Sequence, residues 1–383
     1  METVKEPSAW AAEETGIEKR PCYILTPCGT SLLTNVAGEG ERAAVIRNSN
    51  CPRREDIPPA DLEILEQVIR RAGSALAGAG PAEAKHLSAE LNGILSLLKG
   101  SRPPGSVFHQ LLCTDTFLGR VTAEIVRDWL QGQGATVDIR GQKDLQTADM
   151  ASFQWALSDL TAWCAETVAG YLPSHHVVFN LTGGFKSVQG FLLTLSSFYA
   201  HEAVYIFEAG GLLRIPRLPV RMDAEPMVLE HLIFFRRAAG NLAARPEHGL
   251  AETMYLEMDG EYALSAWGEL VWNQTRDDIY GREIYPSPSE RLCYGPAFLK
   301  SVASQPADRK RILNRRIDQL AAHLENGGRT EASPASLDFK PLRGGPCPPS
   351  THEMDAWADK AAHRLFGHFE DAVFILDCLA EHL

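Results

Sequence analysis

Residues 173–200 read PSHHVVFNLTGGFKSVQGFLLTLSSFYA, and the fold follows from how this stretch divides. His176–Phe179 is a short apolar, β-branched run behind a proline, which predicts a buried strand. Val188, Phe191, Leu192, Leu195 and Phe198 then recur at helical spacing, which predicts a helix to Tyr199. Asn180, Thr182, Gly183, Gly184, Lys186 and Ser187 fall between the two. Glycine permits close backbone approach, the first amides of a helix have no intrahelical partner, and a lysine there adds positive charge. The turn therefore reads as a cradle for an anion, most simply phosphate. GGFKS ends like a Walker A loop, but the full GxxxxGK[ST] spacing is not met. A plain strand-to-helix turn with a surface lysine is the alternative.

Working outward, Cys22–Thr26 reads as a strand that enters a second polar loop, Pro27-Cys28-Gly29-Thr30-Ser31-Leu32-Leu33-Thr34-Asn35. Residues 40–56 read as a loop or short helix, and 58–72 and 82–99 as helices. Val107–Cys113 is a strand that passes through Thr114-Asp115-Thr116 into a helix at 117–131. Ala135–Ile139 is another strand, 150–171 a helix, Ala203–Glu208 a strand, and Leu212–Ile215 its hairpin partner beyond Gly210-Gly211. Strands alternating with helices predict an α/β fold with a doubly wound, mostly parallel sheet. Ligands of such sheets sit beyond the carboxyl ends of the strands, where strand order reverses. The loops at 27–35 and 180–187 are expected to line one pocket there.

The chain of 383 residues is long enough for two or three domains. We divide it into 1–224, a connector or dimerisation segment at 225–284, and an α+β module at 285–383. The module has a basic helix at 306–325, the stretch LDFKPL at 337–342, and a meander at 351–358, 362–369 and 372–379. No apolar run approaches the ~20 residues of a membrane span. The polar, acidic amino terminus lacks the regions of a signal peptide, which predicts a cytoplasmic protein. Eight cysteines without a CxxC pair predict reduced, mostly buried thiols.

The net charge is −12, and residues 1–284 carry most of it, with 25 Lys/Arg against 36 Asp/Glu. That balance excludes a general nucleic-acid coat protein, and no stable DNA binding is expected. Residues 285–383 are nearly neutral, 12 against 13, and hold the cluster DRKRILNRR at 308–316. That cluster reads as a solvated helix face or as a contact to RNA phosphate.

The pair CGTSLLTN at 28–35 and NLTGGFKS at 180–187 resembles the CRISPR-associated Rossmann-fold sensor domains known as CARF, over roughly residues 20–220. The resemblance implies a homodimer that binds a cyclic oligoadenylate, most commonly cyclic tetra-adenylate, as an allosteric ligand; no cofactor is implied. A twofold ring suits a twofold dimer. The implied ligand-binding residues are Gly29, Thr30, Ser31, Leu32, Asn35, Thr114, Asp115, Asn180, Thr182, Gly183, Gly184, Lys186 and Ser187. Some members of that family also cut the ring, and Thr30, Ser31 and Lys186 are placed to assist such a step.

The order of elements after residue 285 resembles the RelE-type, ribosome-dependent messenger-RNA interferases. HRLFGHF at 363–369 is similar to that family's catalytic-strand arginine pattern, which assigns Arg364 to the scissile phosphate. The resemblance implies cleavage of messenger RNA on the ribosome by metal-independent attack of the 2′-hydroxyl. Such cleavage needs a base, a cation at the transition state and an acid. His352 or His368 would transfer protons, and Lys340 with Arg343 would bind phosphate. The chain departs from the family pattern where HEMDA offers His352, Glu353 and Asp355 in place of basic residues. Two other readings stand beside this one: a ligand-sensing transcriptional regulator with a winged-helix-like reader at 250–284, and a ring nuclease with an inert tail. A zinc site from Cys347, His352, His363 and His368 lacks the usual pair spacing.

Overall fold

The computed structural model describes residues 20–99, 104–145, 149–184, 186–207, 210–219, 222–328, 334–342, 348–359 and 362–381. The chain forms two compact units that divide between residues 220 and 221.

The amino-terminal unit is built on a six-stranded sheet. Its strands are β1 (Cys22–Cys28), β2 (Val107–Thr114), β3 (Thr136–Gln142), β4 (His176–Asn180), β5 (Glu202–Ile206) and β6 (Leu212–Pro216), in the order β3-β2-β1-β4-β5-β6. All pairs are parallel except β5 with β6, which closes as the expected antiparallel hairpin. β1 and β4 are buried at every position, as strands covered on both faces must be. The chain winds β1 to β2 to β3 on one side and then crosses back to β4 on the other. The reversal point therefore lies between β1 and β4, the two strands whose loops the sequence singled out.

Pro27 sits inside β1 but beyond its pairing with β4, which ends at Leu25 opposite Phe179. A residue without an N–H is tolerated there because nothing on that side accepts a bond. The strands part at this proline, and the crevice opens. Between β1 and β2 the structure has more helix breaks than the apolar spacing suggested. Helices run Ser31–Val36, Glu39–Arg47, Pro59–Gly78, Pro81–Leu87 and Ala89–Leu98. Ser88 ends one helix and caps the next, its hydroxyl accepting from the Leu91 N–H at 3.3 Å. The Lys186–Tyr199 helix buries Val188, Phe191, Leu192, Leu195 and Tyr199.

The carboxyl-terminal unit takes in the segment expected as a separate connector. Helices Glu225–Glu230, Leu232–Ala239 and Ala266–Tyr280 pack with a hairpin of β7 (Tyr255–Met258) and β8 (Glu261–Leu264) around Phe234, Phe235, Val271, Trp272, Ile279 and Tyr280. The adjoining five-stranded sheet has the order β10-β11-β12-β13-β9. Its strands are β9 (Leu292–Tyr294), β10 (Lys340–Pro341), β11 (His352–Trp357), β12 (His363–Glu370) and β13 (Val373–Glu381). The predicted meander is present as β11, β12 and β13, all antiparallel, whereas β9 joins parallel to β13. The Ala307–Glu325 helix buries Leu313, Ile317, Leu320 and Leu324 against this sheet. Asn314 on its other side accepts from the Tyr285 N–H at 3.1 Å and donates to the Tyr280 and Glu283 carbonyls at 3.1 and 2.8 Å. These bonds tie residues 225–284 to the module that follows. Among the described residues no helix is long and apolar enough to cross a membrane.

Candidate functional site

At the strand reversal of the amino-terminal unit, Gly29 and Gly184 meet closely: a Cβ on Gly29 would stand 3.3 Å from the Gly184 Cα. Gly184 has φ +87°, and a Cβ there would stand 2.8 Å from the Pro27 ring. Only glycine fits this turn. The loops after β1 and β4 are thus brought together, as expected, and Lys186 and Ser187 stand exposed at the start of the following helix.

A residue the sequence reading passed over organises this crossing. Glu90 is fully buried, and its Oε1 accepts the Gly29 N–H at 2.9 Å. Its Oε2 accepts both the Ser31 and the Ser88 hydroxyls at 2.6 Å. A Cβ on Gly183 would fall 2.4 Å from Glu90 Oε1, so the second loop is also shaped around this carboxylate. The amide of Gly29 and the hydroxyl of Ser31, both expected to meet a ligand, are spent on Glu90.

Other candidate residues also have internal duties. Asn180 is fully buried; its Nδ2 donates to the Glu90 carbonyl at 3.0 Å, and its Oδ1 accepts the Thr182 N–H at 3.3 Å. The Thr182 hydroxyl accepts from the Ile206 N–H at 3.3 Å. Leu32 is a core residue, and Asn35 donates to the Leu87 carbonyl at 3.1 Å. Thr114 is buried against Thr116, and Asp115 pairs with Arg120 at 3.2 Å. The groups left at the crevice are Thr30, the Gly183 and Gly184 amides, Lys186 and Ser187, since the Thr182 N–H is taken by Asn180 and the Gly183 carbonyl by Gln189 at 2.9 Å. The chemistry open to them is recognition of an anion by backbone amides, hydroxyls and one ammonium.

In the carboxyl-terminal unit, Arg364 on β12 is 7% exposed and surrounded by carboxylates. Its guanidinium lies 2.9 Å from Glu353, 3.2 Å from Asp355 and 3.4 Å from Asp338. Lys340 is bonded to Asp338 and lies 3.9 Å from Glu353. The Lys340 ammonium and the nearby Arg364 hold the Asp338 carboxyl below its ordinary range, against partial burial. Three acids face two cations in this cluster; Arg364 is buried among them, whereas the Lys340 side chain is 39% exposed. Arg343 and Cys347 lie outside the described residues.

The two candidate histidines stand on opposite faces of the sheet. His352 pairs with Gly367, so its ring shares a face with Phe369, which it meets edge-on at 5.2 Å, and it stacks on Phe339 at 5.1 Å. Burial there pushes its pKa down. His368, one residue past Gly367, points to the other face, as Arg364 does four residues earlier. Its Nδ1 meets Asp377 Oδ2 at 2.9 Å, and the Ser350 hydroxyl donates to the same oxygen at 2.7 Å. A bulge creates this contact: Phe366 pairs with Cys378 and Gly367 with Leu376, leaving Asp377 as the extra residue. A carboxylate on Nδ1 fixes the ring and leaves Nε2 for proton transfer. Asp377 and Ser350 carried no signal in the sequence, because the bulge that brings them in depends on strand register.

The basic cluster is also engaged within its unit. Arg309 pairs with Asp359 at 2.8 Å and Arg315 with Asp277 at 2.5 Å. Lys310, Arg311 and Arg316 donate to the carbonyls of Arg282, Asp277 and Ala356 at 3.1, 2.8 and 3.3 Å. The β7–β8 hairpin, proposed as the wing of a DNA reader, turns through Asp259-Gly260 with Glu257 and Glu261 beside it. Its tip is acidic. Among the described residues no group of three or more His, Cys, Asp or Glu side chains is arranged to hold a metal.

No curated protein matches the chain. Residues 85–218, from the Pro81–Leu87 helix through β6, match the model of a family described as CRISPR-associated protein (Cas_APE2256), and this match indicates a CRISPR-associated protein.

Proposed function

We propose that the protein is an effector of type III CRISPR defence, in which the amino-terminal unit binds a cyclic oligoadenylate and the carboxyl-terminal unit cleaves RNA. The observation that carries the sensing half is the crossing of the Gly29 and Gly184 loops at the strand reversal, within a unit largely covered by the family match. Each protomer of a homodimer would present one such crossing to a ring of matching symmetry. Lys186 and the Gly183 and Gly184 amides meet phosphate in this reading, while Glu90 holds the first loop in shape from behind.

For the cleaving half, the His368–Asp377 pair supports the reading best. Asp377 orients the ring through Nδ1, so that Nε2 takes the proton of the RNA 2′-hydroxyl as that oxygen attacks phosphorus, or returns one to the leaving 5′-oxygen. The opposite-face placement of His352 removes it from that couple. Arg364 stabilises phosphate in this scheme only if the substrate displaces Glu353 or Asp355 from it. That requirement favours a second reading, in which the carboxyl-terminal unit is an interaction module without nuclease activity.

A cell-free translation reaction with and without cyclic tetra-adenylate, followed by mapping of messenger ends, separates the two. Ligand-dependent cuts that vanish with His368→Ala are expected from the effector. Unchanged translation and intact messenger in the presence of bound ligand select the interaction module.

A further inference from the structure

A cavity of about 490 Å³ is lined in the carboxyl-terminal unit by residues of the Leu232–Ala239, Ala266–Tyr280 and Ala307–Glu325 helices. Among the described residues, four nitrogens on its lining residues make no hydrogen bond: Trp272 Nε1, Arg276 Nε, His323 Nε2 and Arg236 Nη2, the last of which is held in an ion pair with Asp318 at 2.6 Å. Trp272 is 2% exposed and His323 6%, so bulk water does not reach these two freely, whereas the Arg276 side chain is 32% exposed. Trp272 and Arg276 are four residues apart and share one side of their helix. Indole and guanidinium nitrogens donate and never accept, so whatever satisfies them must present acceptors.

Charge points the same way. Arg236 on the cavity wall is neutralised by Asp318, which accepts from its Nε at 2.8 Å and also binds the Tyr280 hydroxyl. Arg315 is taken up by Asp277. Arg276 stands 3.8 Å from the same Asp277 carboxylate, beyond a hydrogen bond. Three arginines against two aspartates leave one positive charge in excess, and Arg276 is the cation with the least engaged guanidinium. Its carbon lies 6.0 Å from the Trp272 ring centre, so the two donors form one surface. A cavity built only to be filled with side chains would not gather donors such as the Trp272 indole without a partner, since each costs stability when buried alone.

We propose that this cavity binds a small organic anion through its oxyanion, with Trp272 Nε1 and Arg276 as donors and His323 Nε2 as partner to a second polar group of the same molecule. The volume lies within the ~300–1,000 Å³ of ordinary small-molecule sites. Phosphate and carboxylate share the required chemistry, because both accept the planar fork of an arginine. The site lies in the carboxyl-terminal unit and does not rest on the sensing or cleaving roles proposed above.

The test is calorimetric titration of the full-length protein at low salt with adenosine monophosphate, inorganic phosphate and malonate, repeated on Arg276→Gln and Trp272→Phe. At least one probe is expected to bind with a Kd below about 1 mM, and each variant to weaken it about tenfold or more. Preference for the two phosphates identifies a phosphate site, and preference for malonate a carboxylate site. Arg276 is partly exposed, so its variant is expected to fold even if removal of the buried indole N–H at Trp272 disturbs the core. Failure of all three probes to bind, or binding that Arg276→Gln leaves unchanged, overturns the proposal and makes this a water-filled cavity.

Discussion

The strand-reversal loops and the Arg364 cluster solve opposite problems with buried charge. In the first, one carboxylate, Glu90, is satisfied by neutral donors: the Gly29 N–H and the hydroxyls of Ser31 and Ser88. In the second, one guanidinium faces Glu353, Asp355 and Asp338. Glu90 draws a loop into shape and leaves the other loop's lysine facing out, whereas the Arg364 cluster turns its charges on one another. A motif residue can thus be present in the right place and still be consumed by its neighbours. The difference teaches that availability, not residue type, separates a lysine open to a ligand from an arginine held by its neighbours.

The comparison breaks most sharply at Arg364. Arg364→Met leaves Lys340 alone against three carboxylates, and a loss of about 3–5 kcal/mol is expected in the unfolding of the carboxyl-terminal unit by urea. A variant that keeps its stability and loses RNA cleavage would return Arg364 to the catalytic role. For the intact cluster, Asp338 titrates below its ordinary pKa of 3.8, so its contribution is present above that pH and is lost as pH falls further.

A carboxylate held by cations in the amino-terminal unit gives the next largest effect. Glu202 is buried, which alone would raise its pKa, yet His176 at 2.8 Å and Arg214 at 2.6 Å hold it at about 2. Its folded pKa is below the ordinary 4.5, so stability is fully present above pH 4.5 and lost as pH falls toward 2. That loss is on the order of 2–3 kcal/mol, and thermal melts of Glu202→Gln over the same range are expected to be correspondingly flatter.

Glu90→Ala tests the neutral-donor arrangement. Freed donors in a buried site cost roughly 1–3 kcal/mol, and ligand binding is expected to weaken together with stability as the first loop loses its support. Ligand affinity that survives a destabilised Glu90→Ala would show that the first loop is not part of the site. The smallest effect on stability belongs to Lys186→Ala, within about 0.5 kcal/mol for an exposed residue. Its effect on ligand affinity is expected to be roughly 1–3 kcal/mol if the ammonium sits against phosphate. An unchanged dissociation constant would leave Lys186 a surface lysine on a plain turn.

Much of the fold was legible. β1, β2, β4 and the β5–β6 hairpin stand where their apolar runs predicted, and the meander after residue 350 is formed by β11, β12 and β13. The break at Ser88 escaped notice because the apolar spacing of 82–99 continues through it, and only the cap shows the change of helix. β9 escaped because three residues carry too little pattern. At the candidate sites, the meeting of the two glycine-bearing loops was legible from their positions after strands. The occupations of Asn180, Ser31 and Arg364 were not, because each depends on a partner from another element.

The sequence by itself determined the local things: where most strands and helices run, that their alternation makes a mostly parallel sheet, and that Gly183-Gly184 and Lys186 stand at a strand-to-helix turn. These follow from periodicity and glycine chemistry, which act over a few residues. Only the tertiary structure decided that Glu90 reaches Gly29, that a bulge turns Asp377 onto His368, and that residues 225–284 pack with the carboxyl-terminal module. Those pairings depend on strand order, register and helix packing, and a change of one residue in register would exchange the faces on which these side chains meet.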